Sequence, residues 1–339
     1  MNEILTDERF LNIETYERLQ KSFIAFDTET TGLSPENDVI IEVGAVKFEN
    51  GSVTDTFTTL IDEGVPVPYG AYQVNHISTQ MLRKYGTAPA AAYQQLIDFF
   101  GDALAGGTLL CAHNANFDMG FLSRALSRYD YSGCLQYIDT LKLSRRTVKG
   151  LYSYSQGALA QYFQIVNPQA HRAAADAETC GRTLDRLLSL NQENIEQRRI
   201  DLTQRQYSRK ETAAASVIVQ ILLDHGCPPE KIRLYRTKSN YVEIISGYRP
   251  IKIRIMKKKS YVIVPAQYIS GQETEPCTKS EGTDMVRLLF HDPAELMAYR
   301  KLIWQLHLDS SAALPSAMEP YERRFLKQAD LDNISCLMS

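Results

Sequence analysis

An α/β domain followed by a smaller α+β domain is the architecture this sequence predicts, on three observations. Two strand-like segments, residues 39–48 and 52–61, flank Asn50-Gly51, the pair favoured in two-residue type I′ hairpins. With the apolar run at 23–28 they make an antiparallel meander, and the strand-like runs that follow alternate with helix-like ones, the pattern of a mixed sheet covered by helices. The chain is 339 residues long, which suggests two domains at roughly 100 to 200 residues each. Pattern alone does not single out a topology.

Residues 3–20 read as an amphipathic helix with Leu5, Phe10, Ile13, Tyr16 and Leu19 as its apolar side, packed on the sheet edge. The next strand opens with Phe23, Ile24, Ala25 and Phe26, as a strand buried on both faces reads. After the hairpin, residues 62–86 read as loop and short helix. Residues 88–104 read as helix through Tyr93, Leu96, Ile97, Phe100 and Leu104, ended by Gly106-Gly107. A fourth strand covers 108–112, and a helix through Phe121, Leu122, Ala125 and Leu126 follows it. A fifth strand near 135–138 precedes a helix carrying Leu141 and Leu143. Another helix at 155–163 leads through Pro168 to an alanine-rich helix containing Leu184, Leu187 and Leu188.

These elements define a first domain at 1–190. Residues 191–206 are rich in Gln and Glu, and the domain plan takes them as a linker, a helical extension being the other reading. Residues 207–310 form the α+β module: a helix at 210–225 stopped by Gly226, Pro228 and Pro229, strand-like runs at 232–235, 241–245, 251–256 and 261–264, and a helix at 294–308 holding Trp304. A mobile tail is expected at 311–339. Between Lys231 and Lys259 ten basic residues face a single acid, Glu243. Interleaved Tyr235, Tyr241, Tyr248 and Tyr261 give two readings for a patch centred on Lys252, Arg254, Lys257, Lys258 and Lys259. It either holds nucleic acid, cations on phosphate and rings on bases, or solubilises exposed strands.

The chemistry concentrates in three stretches. Asp27 and Glu29 stand two residues apart on a strand and so share a face. Like charges that close raise each other's pKa, and a divalent cation reverses the sign of the problem. Oxygen ligands of this kind suit Mg²⁺ or Mn²⁺, and Gly32 lets backbone approach something closely just beyond them. A surface strand end with solvated acids is the bland alternative. Two further acids follow. Asp118 lies in the first turn of a helix after His113 and Asn114, and Asp176 lies five residues after His171. Five residues on a helix turn through about 140° net, so His171 belongs in the loop before the helix, hinged over a site that Asp176 reaches from below. A solvated loop histidine beside Arg172 is the other reading.

The stretches FDTETTG (26–32), HNANFD (113–118) and HRAAAD (171–176) resemble the three motifs of the DEDD exonuclease superfamily. They match the branch with histidine five residues before the last aspartate, which includes the epsilon proofreading subunit of DNA polymerase III and ribonuclease T. The match spans residues 22–190. It implies a ribonuclease H-like mixed five-stranded sheet flanked by helices, and a 3′ to 5′ exonuclease that hydrolyses terminal phosphodiester bonds of DNA or RNA to nucleoside 5′-monophosphates. It implies two divalent cations, Mg²⁺ or Mn²⁺, about 3.5 to 4 Å apart. Asp27 would bridge both, Glu29 and Asp176 would complete the site of the attacking water, Asp118 would hold the second, and His171 would take the proton. Thr30, Gly32 and Leu33 would meet the terminal nucleotide, Leu33 as a wedge. Asn75 or His76 either touches substrate or is structural. Phe117 either stacks on a base or packs in the core, and His113 and Asn114 either orient Asp118 or cap its helix. The implied partner is a single strand with a free 3′ end. Proofreading would require a polymerase or repair protein in trans, because residues 191–339 are too few for a polymerase domain. A catalytically silent nucleic-acid-binding or scaffold protein is the competing class, and its mark would be a lost acid or histidine; none is lost.

Composition sets the context. A net charge of −3 assigns any nucleic-acid affinity to local patches and metals. Neither a leader-like N-terminus nor an apolar run of about 18 residues is present, so a soluble, cytoplasmic protein without membrane partners is expected. Six cysteines, at 111, 134, 180, 227, 277 and 336, form no CxxC pair and read as reduced, with Cys111 in the core.

Overall fold

The computed structural model describes residues 3–237, 239–257, 259–312 and 327–338. Contacts divide the chain into two units, Met1–Glu196 and Gln197–Ser339. The first begins with strand β1 (Ile4–Glu8), helix α1 (Ile13–Lys21) and the meander β2 (Ser22–Thr30), β3 (Ile40–Glu49) and β4 (Ser52–Leu60). Asn50 and Gly51 both take positive φ, 50° and 77°, as a type I′ turn requires. Helices α2 (Tyr69–Asn75), α3 (Thr79–Tyr85) and α4 (Pro89–Phe100) follow, then β5 (Leu110–Ala112), α5 (Asn116–Arg128), β6 (Gly133–Asp139), α6 (Thr140–Thr147), α7 (Gln156–Phe163) and α8 (Ala173–Thr203).

The sheet order is β1-β6-β5-β2-β3-β4, with β1, β6, β5 and β2 parallel and the meander antiparallel. This mixed sheet flanked by helices is the ribonuclease H-like arrangement, with six strands where five were expected. The difference lies at the N-terminus. The helix expected over 3–20 is two elements, because Asn12 starts α1 by accepting the Thr15 N–H at 2.8 Å, while residues 4–8 pair in parallel with β6. That partner is more than a hundred residues away, so no local pattern announces it.

Alternation along β2 sorts its side chains. Ile24 and Phe26 pack with Leu96, Phe100 and Leu122 of α4 and α5. Phe23 and Ala25 pack with Leu184 and Leu187 of α8, and the same alternation turns Asp27 and Glu29 to the α8 side. Helix α8 comes unusually close to the sheet there. A Cβ on Gly44 would collide with the backbone of Ala173 and Ala174, and one on Gly181 would collide with the Phe48 ring. Gly44 is the register partner of Asp27.

In the second unit, α9 (Arg209–Asp224) starts with a capping box of Ser208 and Glu211. Its antiparallel sheet has the order β11-β12-β10-β9-β8-β7-β13. The strands are β7 (Arg233–Arg236), β8 (Val242–Ile245), β9 (Ile251–Arg254), β10 (Ser260–Pro265), β11 (Thr274–Pro276), β12 (Met285–Phe290) and β13 (Asp332–Asn333), and α10 (Arg300–Ala312) precedes the last of them. One face buries Ile244, Ile253, Val262 and Phe290 with Ile218 and Leu222 of α9.

Three readings of this half change. The stretch 191–206 is not a linker through most of its length: α8 continues to Thr203, since its polar residues are good helix formers and Ile195 is buried. The tail expected at 311–339 contains β13, which pairs with β7 and is held where Arg205 donates to Asp332 at 3.1 Å; residues 313–326 and 339 lie outside the described residues. The helix expected at 294–308 begins as a 3₁₀ segment, Pro293–Tyr299. Cys111 is fully buried, and none of the described helices is long and apolar enough to cross a membrane.

Replacing Gly44 by alanine is expected to lower stability to urea by about 1 to 3 kcal/mol, because the added methyl must push α8 off β3. Gly157→Ala, with open space around the new methyl, serves as the control and is expected to be neutral or stabilising. Equal behaviour of the two variants would contradict the close approach.

Candidate active site

The four acids come from three elements: Asp27 and Glu29 from β2, Asp118 from α5 and Asp176 from α8. Between Asp27 and Glu29, Thr28 donates from its backbone N–H at 3.0 Å and its hydroxyl at 2.7 Å to Asp118 Oδ1. These two hydrogen bonds tie the first turn of α5 to β2. The chain enters α5 through Asn114 in the left-handed region, φ 62°, which asparagine tolerates well. Ala115 is the N-cap residue and no side chain caps the helix, so Asn114 acts here through its backbone.

Asp176 stands in the first turn of α8 with its carboxylate braced from three sides. Gln156 Nε2 at 3.1 Å and Asn167 Nδ2 at 2.7 Å donate to Oδ1, and the His171 N–H donates to Oδ2 at 2.8 Å. His171 has φ 66° and an exposed ring in the turn before α8, folded back over Asp176. The neighbouring residue clamps that turn. Arg172 donates to buried Glu42 on β3 through Nε at 3.1 Å and Nη2 at 2.6 Å, and the Ala173 N–H adds a bond at 3.1 Å.

These groups face one cavity of about 680 Å³, lined by Asp27, Glu29, Asp118, His171 and Asp176 together with His113, Asn114, Phe117, Gln156 and Asn167. Burial, then the charges of Asp118, Asp176 and Glu29, push Asp27 well above the ordinary carboxylate range. Glu29 rises to about 8 through burial and then the charges of Glu42 and Asp176. Asp118 rises to about 7 through burial, which outweighs the downward pull of the Thr28 bonds. Glu29, His171 and Asp176 bring ligand atoms within 4.8 Å of one another, so this acid–histidine cluster is able to coordinate a metal ion. An oxygen-rich donor set whose members resist ionising together is what a hard divalent cation relieves.

The remaining site candidates divide. His113 shares a hydrogen bond with Thr140 Oγ1 at 3.0 Å and another with the Tyr154 backbone, and burial lowers its pKa. Phe117 is half-buried against Phe121 at 5.0 Å between ring centroids, and it also lines the cavity. Thr30, Gly32, Leu33 and His76 do not line it. Thr30 Oγ1 donates to the Gly32 carbonyl at 2.6 Å, and a Cβ on Gly32 would strike the Asp38 carboxylate, so its close neighbour is protein. Leu33 is 85% exposed. His76 ends α2 with φ 56° and an exposed ring, whereas Asn75 is buried and donates to the Thr30 carbonyl at 3.4 Å. Sequence reasoning missed Gln156, Asn167, Glu42 and the role of Arg172, since nothing in their spacing points to Asp176 or to the His171 turn.

In the second unit most of the basic patch meets acids or rings. Lys252 pairs with Glu243 at 3.6 Å, Arg254 stacks on Tyr241 at 5.0 Å, and Lys259 lies between Glu273 and Glu275 at 3.4 and 3.3 Å. Tyr261 is buried, and the Tyr241 hydroxyl donates to Glu281 at 2.7 Å while Arg254 lies over one face of its ring. Lys257 is exposed, and Lys238 and Lys258 lie outside the described residues. The answering acids at 273, 275 and 281 fall beyond the stretch in which the basic residues crowd.

A mixed sheet that gathers four carboxylates and a histidine from a strand and two helix starts defines a ribonuclease H-like exonuclease fold. The family model described as Exonuclease matches residues 24–184. The epsilon subunit of DNA polymerase III from Treponema pallidum is 36% identical over 162 residues, 47% of this chain and 73% of that protein. The protein therefore belongs to the Exonuclease family, in its histidine-containing DEDD branch. A PolC-type DNA polymerase III from Caldanaerobacter subterraneus subsp. tengcongensis is 33% identical over 53% of this chain, and the 3′-5′ exonuclease DinG of Bacillus subtilis 34% identical over 48%. The chain spans 12% and 17% of those two longer proteins.

Raised carboxyl pKa values make folded, metal-free protein hold protons that the unfolded chain has released, so stability falls as pH rises from near 4 to about 8. Thermal melts in EDTA across that range are expected to show a falling midpoint, and Mg²⁺ or Mn²⁺ is expected to raise it most at the alkaline end. A midpoint rising with pH in EDTA would contradict the crowding of the acids.

Proposed function

We propose that this protein is a metal-dependent 3′ to 5′ exonuclease that releases nucleoside 5′-monophosphates from a free 3′ end of single-stranded nucleic acid. The observation that carries the reading is the meeting of Asp27, Glu29, Asp118 and Asp176 in one cavity with His171 at its lip. The relatives' names, a 3′-5′ exonuclease and two forms of DNA polymerase III, support the same reaction. Two divalent cations, Mg²⁺ or Mn²⁺, held by the four acids would supply positive charge at the scissile phosphate and acidify the attacking water.

The protein's own residues do the rest. The His171 imidazole, at the lip of the cavity, accepts the proton of the attacking water. Its left-handed turn is kept in register by the Arg172–Glu42 pair, and Gln156 and Asn167 fix Asp176 so that one carboxylate orientation persists. Phe117 offers a ring at the cavity wall on which a base can stack. Asn114 and His113 shape the wall beside Asp118. Exposed Leu33 and His76, outside the cavity wall, are left to meet the terminal nucleotide, with Leu33 as an apolar wedge, while Thr30 and Gly32 shape the turn that carries it. Action on DNA in proofreading or repair, beside a polymerase or repair protein in trans, is the setting the relatives suggest. A contribution of Lys257 and its neighbours in the second unit to strand binding is part of the same proposal.

Incubating a labelled single-stranded oligonucleotide with Mg²⁺ or Mn²⁺ tests this. Stepwise shortening from the 3′ end is expected with metal and none with EDTA. Asp27→Ala is expected to reduce the rate to background, and His171→Ala to lower it by about 10²- to 10⁴-fold while metal affinity is largely kept. Shortening by Asp27→Ala at the wild-type rate would sink the assignment.

A further inference from the structure

The connection that runs into Ser155 and Gln156 of the cavity wall carries cations and an aromatic ring that the reaction has not used. Helix α6 bears Lys142, Arg145 and Arg146, and Lys149 follows it. Lys142 pairs with Glu8 at 2.9 Å, and Arg146 lies over the Phe10 ring at 5.0 Å. Arg145 and Lys149 are exposed, and neither joins an ion pair among the described residues. Among the described residues Lys149 reaches the Arg145 carbonyl alone, at 3.4 Å.

The loop after α6 is short and tied at both ends. The Tyr154 hydroxyl donates to the Val148 carbonyl at 2.9 Å, which folds the segment back and leaves Lys149, Gly150 and Tyr152 at its tip. Gly150 makes the turn with φ 81°, and Tyr152 is wholly exposed. At its far end Tyr154 takes a hydrogen bond from His113, and Ser155 and Gln156 line the cavity. Arg145 is near enough to His113 for its charge to oppose protonation of that ring. The tip is therefore anchored to the cavity wall on the side of Asp118.

A polyanion that enters a cavity of four carboxylates is repelled unless cations meet it outside. A strand cut at its 3′ end extends away from the site in one direction only, the 5′ direction. We propose that Arg145, Lys149 and Tyr152 form a landing surface for the single strand on the 5′ side of the bond to be cut, the two cations on phosphates and the tyrosine ring on a base. This inference rests on the exonuclease reading above. It assigns to the α6–α7 connection the grip on upstream nucleotides, separate from the acids that act on the terminal one.

Anisotropy of a labelled oligothymidylate of about fifteen residues, titrated in EDTA with the full chain over a range of salt, tests it without turnover. Arg145→Ala combined with Lys149→Ala is expected to raise the dissociation constant about tenfold and to flatten the salt slope by about 1.4, at roughly 0.7 per neutralised phosphate. Tyr152→Ala is expected to weaken binding about fivefold or more with the slope retained. A dinucleotide is expected to lose much less than the long strand in both variants. An unchanged slope in the double variant, or equal losses for dinucleotide and long strand, would overturn the proposal. Should the wild-type chain bind in this salt-dependent way yet degrade nothing with metal, the exonuclease reading falls alone.

Discussion

Helix α8 rests on the sheet with backbone against backbone, because Gly44 leaves no side chain between them, and the rest of the site depends on that contact. It brings the first turn of α8 over the strand pair that carries Asp27, so Asp176 enters a cavity already holding three carboxylates. Electrostatics opposes the arrangement, and burial and neighbouring charge raise the pKa of Asp27, Glu29 and Asp118 together. What holds it is packing of Leu184 and Leu187 under the sheet, the Arg172–Glu42 clamp, and the donors aimed at Asp118 and Asp176. The scaffold thus keeps repelling groups at close range, which is the condition in which a divalent cation binds most usefully.

Charge is distributed with the same logic over the chain. Net charge is near neutral, and many cations of the first unit already answer an acid, as Arg172 answers Glu42 and Lys142 answers Glu8. Free positive charge therefore carries information about where a polyanion can lie. In the second unit Glu243 answers Lys252, and Glu273 and Glu275 answer Lys259, so part of the crowding of lysines and arginines is engaged within the protein.

The parts of this design written in local residues were legible from the sequence. Asn50-Gly51 specified the hairpin, alternation placed Asp27 and Glu29 on one face, and helical geometry required His171 to sit ahead of α8, where a left-handed φ now holds it. The parts that depend on distant partners were not. Strand β1 is made by parallel pairing with β6, and its own residues carry helix-compatible spacing. Gln156 and Asn167 look like ordinary helix-start and loop residues until the fold brings them to Asp176. Glu42 read as one more strand residue, and its burial against Arg172 follows only once α8 crosses β3. The acids that pair with Lys259 lie on β11 and its flank, a short element without a periodic signature.

The chemistry requires divalent cations to meet all four acids in one place. Anomalous scattering from crystals grown with Mn²⁺ measures this directly. Manganese density touching Asp27 and its three companion carboxylates, and absent from an Asp27→Asn crystal, is the result the account predicts. Crystals in which manganese avoids this cavity while binding elsewhere on the chain would contradict it.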